Sequence, residues 1–283
     1  MTAHSPSSPT AFSAAFAEGQ DGRVFLLHHR PRPGVRDRGD IIYLPPFAEE
    51  MNRARRMAAL QARALAQQGF GTLLLDYYGT GDSAGEFRDG CIETWHADAE
   101  TAVSWLEAQG RKAIAFWGLR SGALLALKAI GRKRHKTMSL VLWQPVLDGK
   151  TMLNQFLRVR TAASMGRGGK PETPGVLREM MSAGQTIEVA GYELTPRLVE
   201  EIDGMRLPIE PPSCARIIWL EVDSDPERGP SPPAQRILDS WNANGLEVHH
   251  RIVVGDPFWQ LRDVTLAPAL IDATTMLCEE HLP

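Results

Sequence analysis

The stretch Gly118-Leu-Arg-Ser-Gly122 has the spacing of a nucleophile turn but not the usual residue at its centre. In the pattern Gly-x-Ser-x-Gly, the middle serine sits on a strained turn between a strand and a helix, which exposes its hydroxyl for attack on an acyl group. Counted from the two glycines, the middle residue here is Arg120, and Ser121 comes one position later. The turn therefore presents a cation where acyl chemistry needs an oxygen nucleophile.

Two registers of this turn predict different chemistry. With Arg120 at the centre, its guanidinium lies at a helix N-terminus beside free backbone N–H groups, a place that favours a carboxylate or phosphate ligand. The alternative within this register is that Arg120 is neutralised by one of four acidic residues, Glu49, Glu50, Asp225 or Asp256. Sliding the register by one residue would restore Ser121 as nucleophile, but it places the bulky Leu119 at a crowded flanking position.

The remaining members of a Ser–Asp–His relay are incomplete in the sequence. The acid should follow the strand CARIIWLEV, where Asp225 fits best. The histidine should follow the last strand, but the loop GDPFW has Pro257 at that place. A serine hydroxyl needs an adjacent base because it is scarcely ionised near neutral pH. Ser121 is thus predicted to be a poor nucleophile, with Asp225 or Asp256 left as candidate bases.

The other histidines in this half of the chain are not expected to replace the missing one. His249 and His250 lie on the last strand itself. They are seven or more residues before Pro257, and at ~3.3 Å per residue this places them roughly 20 Å from the loop. They are predicted to make surface or partner contacts. His281 belongs to the C-terminal end, which is predicted to fray.

The elements that must position these residues follow from seven short apolar runs, most of them separated by helix-like segments. This alternation predicts a mostly parallel central sheet with helices on both faces. The apolar runs are Arg23–His28, Asp40–Leu44, Gly71–Asp76, Lys112–Trp117, Met138–Trp143, Ala215–Val222 and Glu247–Val254. The Arg120 turn falls between the strand AIAFW and the helix ALLALKAI, which is the context that a nucleophile turn requires.

Residues 149–212 break this rhythm with two Gly/Pro-rich loops. We expect them to form a helical lid over the carboxyl edge of the sheet. The core is then expected to comprise 21–148 and 213–283. Residues 1–20, with the segment SPSSPT, are expected to be disordered.

Two further segments bear on the site. Leu44–Arg56 follows a strand where a loop would supply a backbone N–H to an oxyanion hole, so Phe47 or Ala48 is the expected donor. GTGDSAG is no nucleotide loop, because it lacks Gly-Lys-Ser/Thr and its third glycine position is Ala84. The aromatic residues that could line a pocket for a sugar or an acyl chain are Phe47, Tyr77, Tyr78, Phe258 and Trp259.

A resemblance to a known family supports this interpretation. DYYGTGDSAG resembles the Asp-x-x-Gly-x-Gly-x-Ser turn of α/β-hydrolases of the serine aminopeptidase and monoglyceride lipase type. From about Phe25 onward, the combination of PPFAEEMNRARR, WHADAETAVSWL, WGLRSGALLA, VAGYEL and GDPFW resembles the second type of exosortase A system-associated hydrolase. The resemblance implies an α/β-hydrolase fold and a context of bacterial exopolysaccharide and protein-sorting loci. It implies no particular reaction.

The composition of the chain argues against several classes of partner. The net charge of −3 gives no basic face for nucleic acid, and no run of about 18 apolar residues predicts a membrane span. Three widely spaced cysteines suggest neither a disulfide framework nor a zinc site. The sequence therefore predicts a cytoplasmic protein without metal or other cofactor, acting on a small-molecule, glycan or acyl substrate. The oligomeric state is left open.

Two hypotheses about function follow, and they leave open whether the protein is an enzyme. The first is a hydrolase or acyl transferase for ester or thioester bonds, with a non-standard triad in which Ser121 or a water attacks, Arg120 binds a carboxylate or oxyanion, and Asp225 or Asp256 is the base. The second is a catalytically degenerate protein of the same fold that binds an anionic glycan, a lipid-linked precursor or a partner protein.

Overall fold

The computed structural model describes residues 12–131, 135–165, 172–260, 263 and 265–283. The strands are β1 (Phe12–Glu18), β2 (Arg23–His29), β3 (Gly39–Leu44), β4 (Phe70–Leu75), β5 (Ala113–Leu119), β6 (Ser139–Trp143), β7 (Ile187–Val189), β8 (Tyr192–Leu194), β9 (Ile217–Asp223) and β10 (Val248–Val254). The helices are α1 (Glu49–Gln67), α2 (Ile92–Ala108), α3 (Ser121–Ile130), α4 (Gly149–Met165), α5 (Pro174–Ser182), α6 (Pro196–Asp203), α7 (Pro232–Ala243) and α8 (Pro268–His281).

The main sheet has the strand order β1-β2-β4-β3-β5-β6-β9-β10. Strands β1, β2 and β4 pair antiparallel, and the remaining pairs are parallel. All seven predicted strands are confirmed, because runs such as AIAFWGL and SLVLW are apolar throughout and suit a sheet buried on both faces. Helices α1 and α8 pack on one face and α2, α3 and α7 on the other, each over its own apolar core.

The predicted disorder of residues 1–20 is wrong for Phe12–Glu18, which form β1. This strand pairs with β2 along its whole length, from Phe12 with His29 to Glu18 with Arg23. Few of its side chains are buried, so the ladder of backbone hydrogen bonds to β2 explains the order. Residues 1–11 lie outside the described residues.

The segment between β6 and β9 contains α4, α5, the β7–β8 hairpin and α6. Helices α5 and α6 each begin after a threonine, Thr173 and Thr195, whose side chain accepts a hydrogen bond from the first helical turn. That residues 149–212 act as a lid stays a prediction. Within the described part of the chain, no helix is both long and apolar enough to cross a membrane.

Candidate functional site

The turn between β5 and α3 has Arg120 at its apex. Its backbone has φ 55° and ψ −117°, a strained conformation for a residue other than glycine. The flanking glycines are sterically required. A Cβ on Gly122 would lie 2.1 Å from the carbonyl oxygen of Leu44, and one on Gly118 would lie 2.5 Å from the backbone nitrogen of Ala123. The backbone therefore corresponds to the register centred on Arg120 and not to the one centred on Ser121.

A second turn, at the start of α1, has almost the same backbone geometry. Ala48 precedes this helix with φ 53° and ψ −128°. Within the described residues, the backbone N–H groups of Ala48 and Ser121 make no hydrogen bond. Both residues line the same small cavity. Two unpaired N–H donors at helix N-termini are the arrangement that an oxyanion hole needs, and this role remains a prediction.

The small cavity holds about 20 Å³, which is room for roughly one water molecule. Its walls are mainly apolar: Pro45, Pro46, Phe47, Ala48, Tyr77, Thr80, Phe87, Ile92, Trp95, Ser121, Leu124, Leu125, Met152, Ile202 and Met205. Phe47 fills much of the neighbouring space, since its ring centroid lies 5.6 Å from that of Phe87 and 5.3 Å from that of Phe156. As it stands, the space beside Ser121 is too small for an acyl group or a sugar.

A larger cavity lies on the other side of Arg120. Its volume of about 530 Å³ falls within the roughly 300–1,000 Å³ of small-molecule pockets. The lining residues come from α1, the Arg120 turn, α4, the β7–β8 hairpin and the loop after β10. They are Phe47, Glu49, Glu50, Arg53, Arg120, Met152, Gln155, Phe156, Arg158, Val159, Ala190, Trp259 and Gln260.

The charges around this cavity are only partly paired. Arg120 Nε donates to Glu50 Oε2 at 3.4 Å, and its guanidinium carbon lies 5.4 Å from the Trp259 ring centroid. Its two terminal nitrogens have no partner within the described residues. Arg158 is exposed and has no hydrogen bond or ion pair from its side chain in the same part of the chain. Of the four acids considered from sequence, Glu50 is the one that pairs with Arg120.

The carboxyl of Glu50 is held in an unusual environment. Burial raises its pKa, and the nearby Arg120 opposes that rise. Arg53 lies on the same wall, where it donates to the carbonyl oxygen of Gln260 and lies 3.6 Å from Glu49. With all groups ionised, three arginines and two glutamates leave one positive charge among the lining residues.

Glu49 is occupied by partners that the sequence did not suggest. The hydroxyl of Tyr192 donates to Glu49 Oε2 at 3.1 Å, and Asn52 Nδ2 donates to the same oxygen at 3.2 Å. Burial and the neighbouring Glu49 raise the pKa of Tyr192 to about 12. This network ties the β7–β8 hairpin to the start of α1.

Two predicted acids lie away from both cavities. Asp225 is exposed, and its side chain accepts a hydrogen bond from the backbone N–H of Glu227 at 3.2 Å, which caps a short 3-10 turn. Asp256 is also exposed. Neither is among the lining residues, so their role as bases stays a prediction.

Two predicted aromatic residues also lie elsewhere. Tyr78 donates its backbone N–H to Asp98, and its ring lies close to Gly85, where a side chain would collide with it. Phe258 is buried against Trp143, with ring centroids 6.1 Å apart, while the adjacent Trp259 lines the larger cavity. The other proposed residues, Phe47, Ala48, Glu49, Arg120 and Ser121, line one cavity or both.

No histidine lines either cavity within the described residues. His28 contacts Asp40 at 2.6 Å, and His135 contacts Glu100 at 3.0 Å. His250 lies 3.2 Å from Glu221. Among the described residues, neither cavity therefore offers Ser121 an imidazole as a base.

The wall that sequence reasoning missed belongs to α4. Met152, Gln155, Phe156 and Val159 recur at the spacing of one helical face, with Arg158 beside them, and this spacing was the available signal. The spacing predicts a helical face, but it does not predict that this face packs over the Arg120 turn.

The sheet order, the strand–turn–helix at Arg120 and the turn before α1 together define an α/β-hydrolase fold. Solved structures share it. Est1E from Butyrivibrio proteoclasticus, with ferulic acid bound, has a TM-score of 0.66 at 15% identity, covering 94% of this chain and 98% of its own. An α/β serine hydrolase from Xanthomonas campestris gives 0.58 at 17% identity with 99% of both chains covered. The α/β hydrolase GrgF from Penicillium gives 0.58 at 18%, covering 96% and 99%.

The model of the serine aminopeptidase family S33 matches residues 38–183, just over half of the chain. The chain therefore belongs to the serine aminopeptidase S33 family of α/β-hydrolases. A comparison with curated protein sequences gives no match.

Proposed function

We propose that the protein binds a carboxylate-bearing ligand in the cavity beside Arg120 and has lost the serine chemistry of its fold. One observation carries this proposal. Arg120, and not a serine, occupies the strained apex of the nucleophile turn, and its side chain lines a cavity of about 530 Å³.

The cavity has the charge that such a ligand requires. Arg120 uses only Nε for Glu50, which leaves its terminal nitrogens free to form a two-pronged contact with a carboxylate. Arg158, on helix α4, offers a cation that no other described residue pairs with. Between them, Phe156 and Trp259 supply aromatic surface for the uncharged part of the ligand.

The ligand class rests on two likenesses. The resemblance to exosortase A system-associated hydrolases supports an acyl or glycan acid of bacterial exopolysaccharide or protein-sorting metabolism. The similar structure of Est1E holds ferulic acid, which is an aromatic carboxylic acid. Both are compatible with an acid whose body is apolar or sugar-like.

A second candidate function is an ester or thioester hydrolase or acyl transferase. The observation that favours it is the pair of backbone N–H groups of Ala48 and Ser121, which have no partner among the described residues and would stabilise an oxyanion. This mechanism needs Ser121 or a water as the attacking group and Asp225 or Asp256 as the base. It also requires the small cavity to open, since it holds about 20 Å³.

Ferulate and methyl ferulate together separate the two functions. The acid has the charge that Arg120 would bind, whereas the ester lacks it and is itself a substrate for hydrolysis. We expect calorimetric titration to show ferulate binding to the wild type and binding weakened about tenfold or more in Arg120→Met, because a hydrogen bond to a charged group contributes about 1.5–3 kcal/mol. Arg197→Met, at an exposed arginine on α6, is the control.

Equal ferulate affinity in the wild type and Arg120→Met would disprove the carboxylate proposal. Turnover of methyl ferulate by the wild type that is lost in Ser121→Ala would establish the hydrolase instead. Turnover that survives Ser121→Ala but is lost in Asp225→Asn or Asp256→Asn would point to an activated water.

A further inference from the structure

A cluster of metal-binding side chains lies at the edge of the main sheet, on residues that line neither cavity. Glu247, His249 and His281 each place one possible ligand atom so that these atoms lie within 4.8 Å of one another. Strand β10 is the outermost strand on this side, and α8 ends at His281.

The chain brings these residues together by simple geometry. Glu247 immediately precedes β10, and its carboxylate reaches the imidazole of His249 two residues along the chain. Helix α8 packs against β9 and β10, and its last residue is His281. The imidazole rings of His249 and His281 are stacked, with centroids 3.5 Å apart and planes 14° apart.

One carboxylate oxygen faces both histidines. His249 Nε2 lies 2.7 Å from Glu247 Oε1, and His281 Nδ1 lies 3.9 Å from the same oxygen. Arg216 Nη2 lies 3.3 Å from Glu247 Oε2, and Arg216 Nη1 donates to the carbonyl oxygen of His281. Arg216 therefore orients the carboxylate and fixes the helix end, as an outer partner does for metal ligands.

We propose that Glu247, His249 and His281 form a binding site for a divalent transition-metal ion of the zinc type. Two imidazole nitrogens and one carboxylate oxygen are a common donor set for such ions, with water completing the coordination. The ion would replace the short contact between His249 and Glu247, and the two stacked rings would spread so that their lone pairs converge on it. Neither ring lies deep in the core, so this adjustment needs little repacking.

The surrounding charges are compatible with a cation. Glu280 lies 3.6 Å from His281 Nε2 and adds a second negative charge, against the one positive charge of Arg216.

The adjacent histidine provides a matched control. His250 points to the opposite face of β10, where it lies 3.2 Å from Glu221 and 6.1 Å from the Trp219 ring. Like His249, it is a histidine on β10 with a glutamate beside it. Unlike His249, it has no second histidine beside it among the described residues.

The test is calorimetric titration of the full chain, without a histidine tag, with Zn²⁺. We expect one tight site in the wild type and in His250→Asn. His249→Asn and His281→Asn should each lose about tenfold or more in affinity, because even changes to the outer partners of a site cost about 10–100-fold. At the same zinc concentration, Tm should also rise less in the two ligand variants than in the wild type.

Three results would overturn the proposal: no zinc binding to the wild type, unchanged affinity in both ligand variants, or an equal loss in His250→Asn. Circular dichroism establishes that each variant is folded, and the two ligand variants lie on different elements, so one misfolded variant does not remove the test. The visible d–d spectrum of bound Co²⁺, which reports the coordination number and the ligand field, should change in the same two variants.

Discussion

The two cavities that adjoin the Arg120 turn share Phe47 and Met152 but differ in size and character. The small one, of about 20 Å³, is mainly apolar and contains Ser121 with the N–H groups expected of an oxyanion hole. The large one, of about 530 Å³, contains three arginines. The backbone N–H groups expected of an oxyanion hole thus face the small cavity, which is almost filled, whereas the large open cavity is lined by charged side chains. This difference is why we place the function at Arg120.

The largest expected effect concerns a buried carboxyl on the helix that contributes Ile92 and Trp95 to the small cavity. Asp98 lies on α2, and burial, above all, raises its pKa from 3.8 to about 7, against the hydrogen bond from the Tyr78 N–H. Because the folded state holds this proton more tightly than the unfolded chain, its stabilising contribution is complete below about pH 4 and is lost as the pH rises to about 7. This pKa change corresponds to roughly 4 kcal/mol.

Asp98→Asn should remove this dependence. We expect the free energy of unfolding of the variant to exceed that of the wild type at about pH 8 and to match it at about pH 4. Urea denaturation across this range measures the difference. Parallel curves for the two proteins would show that Asp98 is not the titrating group.

Gly122→Ala should disrupt both cavities at their common turn. The added Cβ would lie 2.1 Å from the carbonyl oxygen of Leu44, so the turn or the loop after β3 must shift. We expect a loss of about 3 kcal/mol of stability in urea denaturation, as overpacking typically gives. Gly131→Ala is the control, because its Cβ would lie no closer than 3.4 Å to another atom. Equal stability of both variants would contradict this account of the turn.

Glu50→Gln should strengthen ligand binding in the large cavity, because it removes the ion pair that Glu50 forms with Arg120. The ion pair at 3.4 Å competes with a ligand, and its loss should tighten ferulate binding about fivefold, the equivalent of about 1 kcal/mol. Glu49→Gln removes the same charge from the same cavity without touching Arg120, so titration of both variants separates pairing from net charge. An equal gain in both would assign the effect to net charge alone.

Arg158→Met should weaken ferulate binding by about threefold. The effect is smaller than that of Arg120 because Arg158 is exposed and its charge is screened by water. Lys150→Met removes a cation from the same helix outside the cavity and should leave the affinity unchanged. Titration with ferulate at low and high salt measures the affinity of both variants. Equal losses of affinity would show that any positive charge on this helix has the same effect.

Ser121→Ala should have the smallest effect. The variant keeps the backbone N–H and removes only the hydroxyl of a residue that lines the small cavity and not the large one. Ferulate affinity in titration should therefore equal that of the wild type. A clear loss would mean that the two cavities act as one site.

Much of the frame could be predicted from the sequence. The seven apolar runs and the strand–turn–helix around Arg120 are local patterns, and local patterns determine local structure. The helical face of α4 was missed, although its spacing is also local. Strand β1 was missed because its side chains are largely exposed, so its order depends on hydrogen bonds to β2 rather than on an apolar face. The proximity of Glu247 and His281 was missed because their separation along the chain carries no metal-site spacing.

The sequence by itself determined that a tight turn follows this strand, since two glycines four positions apart between a strand and a helix indicate one, but it left two registers of the turn open. The tertiary structure decided for Arg120, whose φ of 55° places it at the apex. Only the tertiary structure decided that Glu50 pairs with Arg120 while Asp225 and Asp256 lie elsewhere. It also decided that α4 brings Arg158 to the same cavity. The physical reason is that these contacts depend on how residues 149–212 and α1 pack against the carboxyl edge of the sheet, and such long-range packing leaves no periodic trace in the chain.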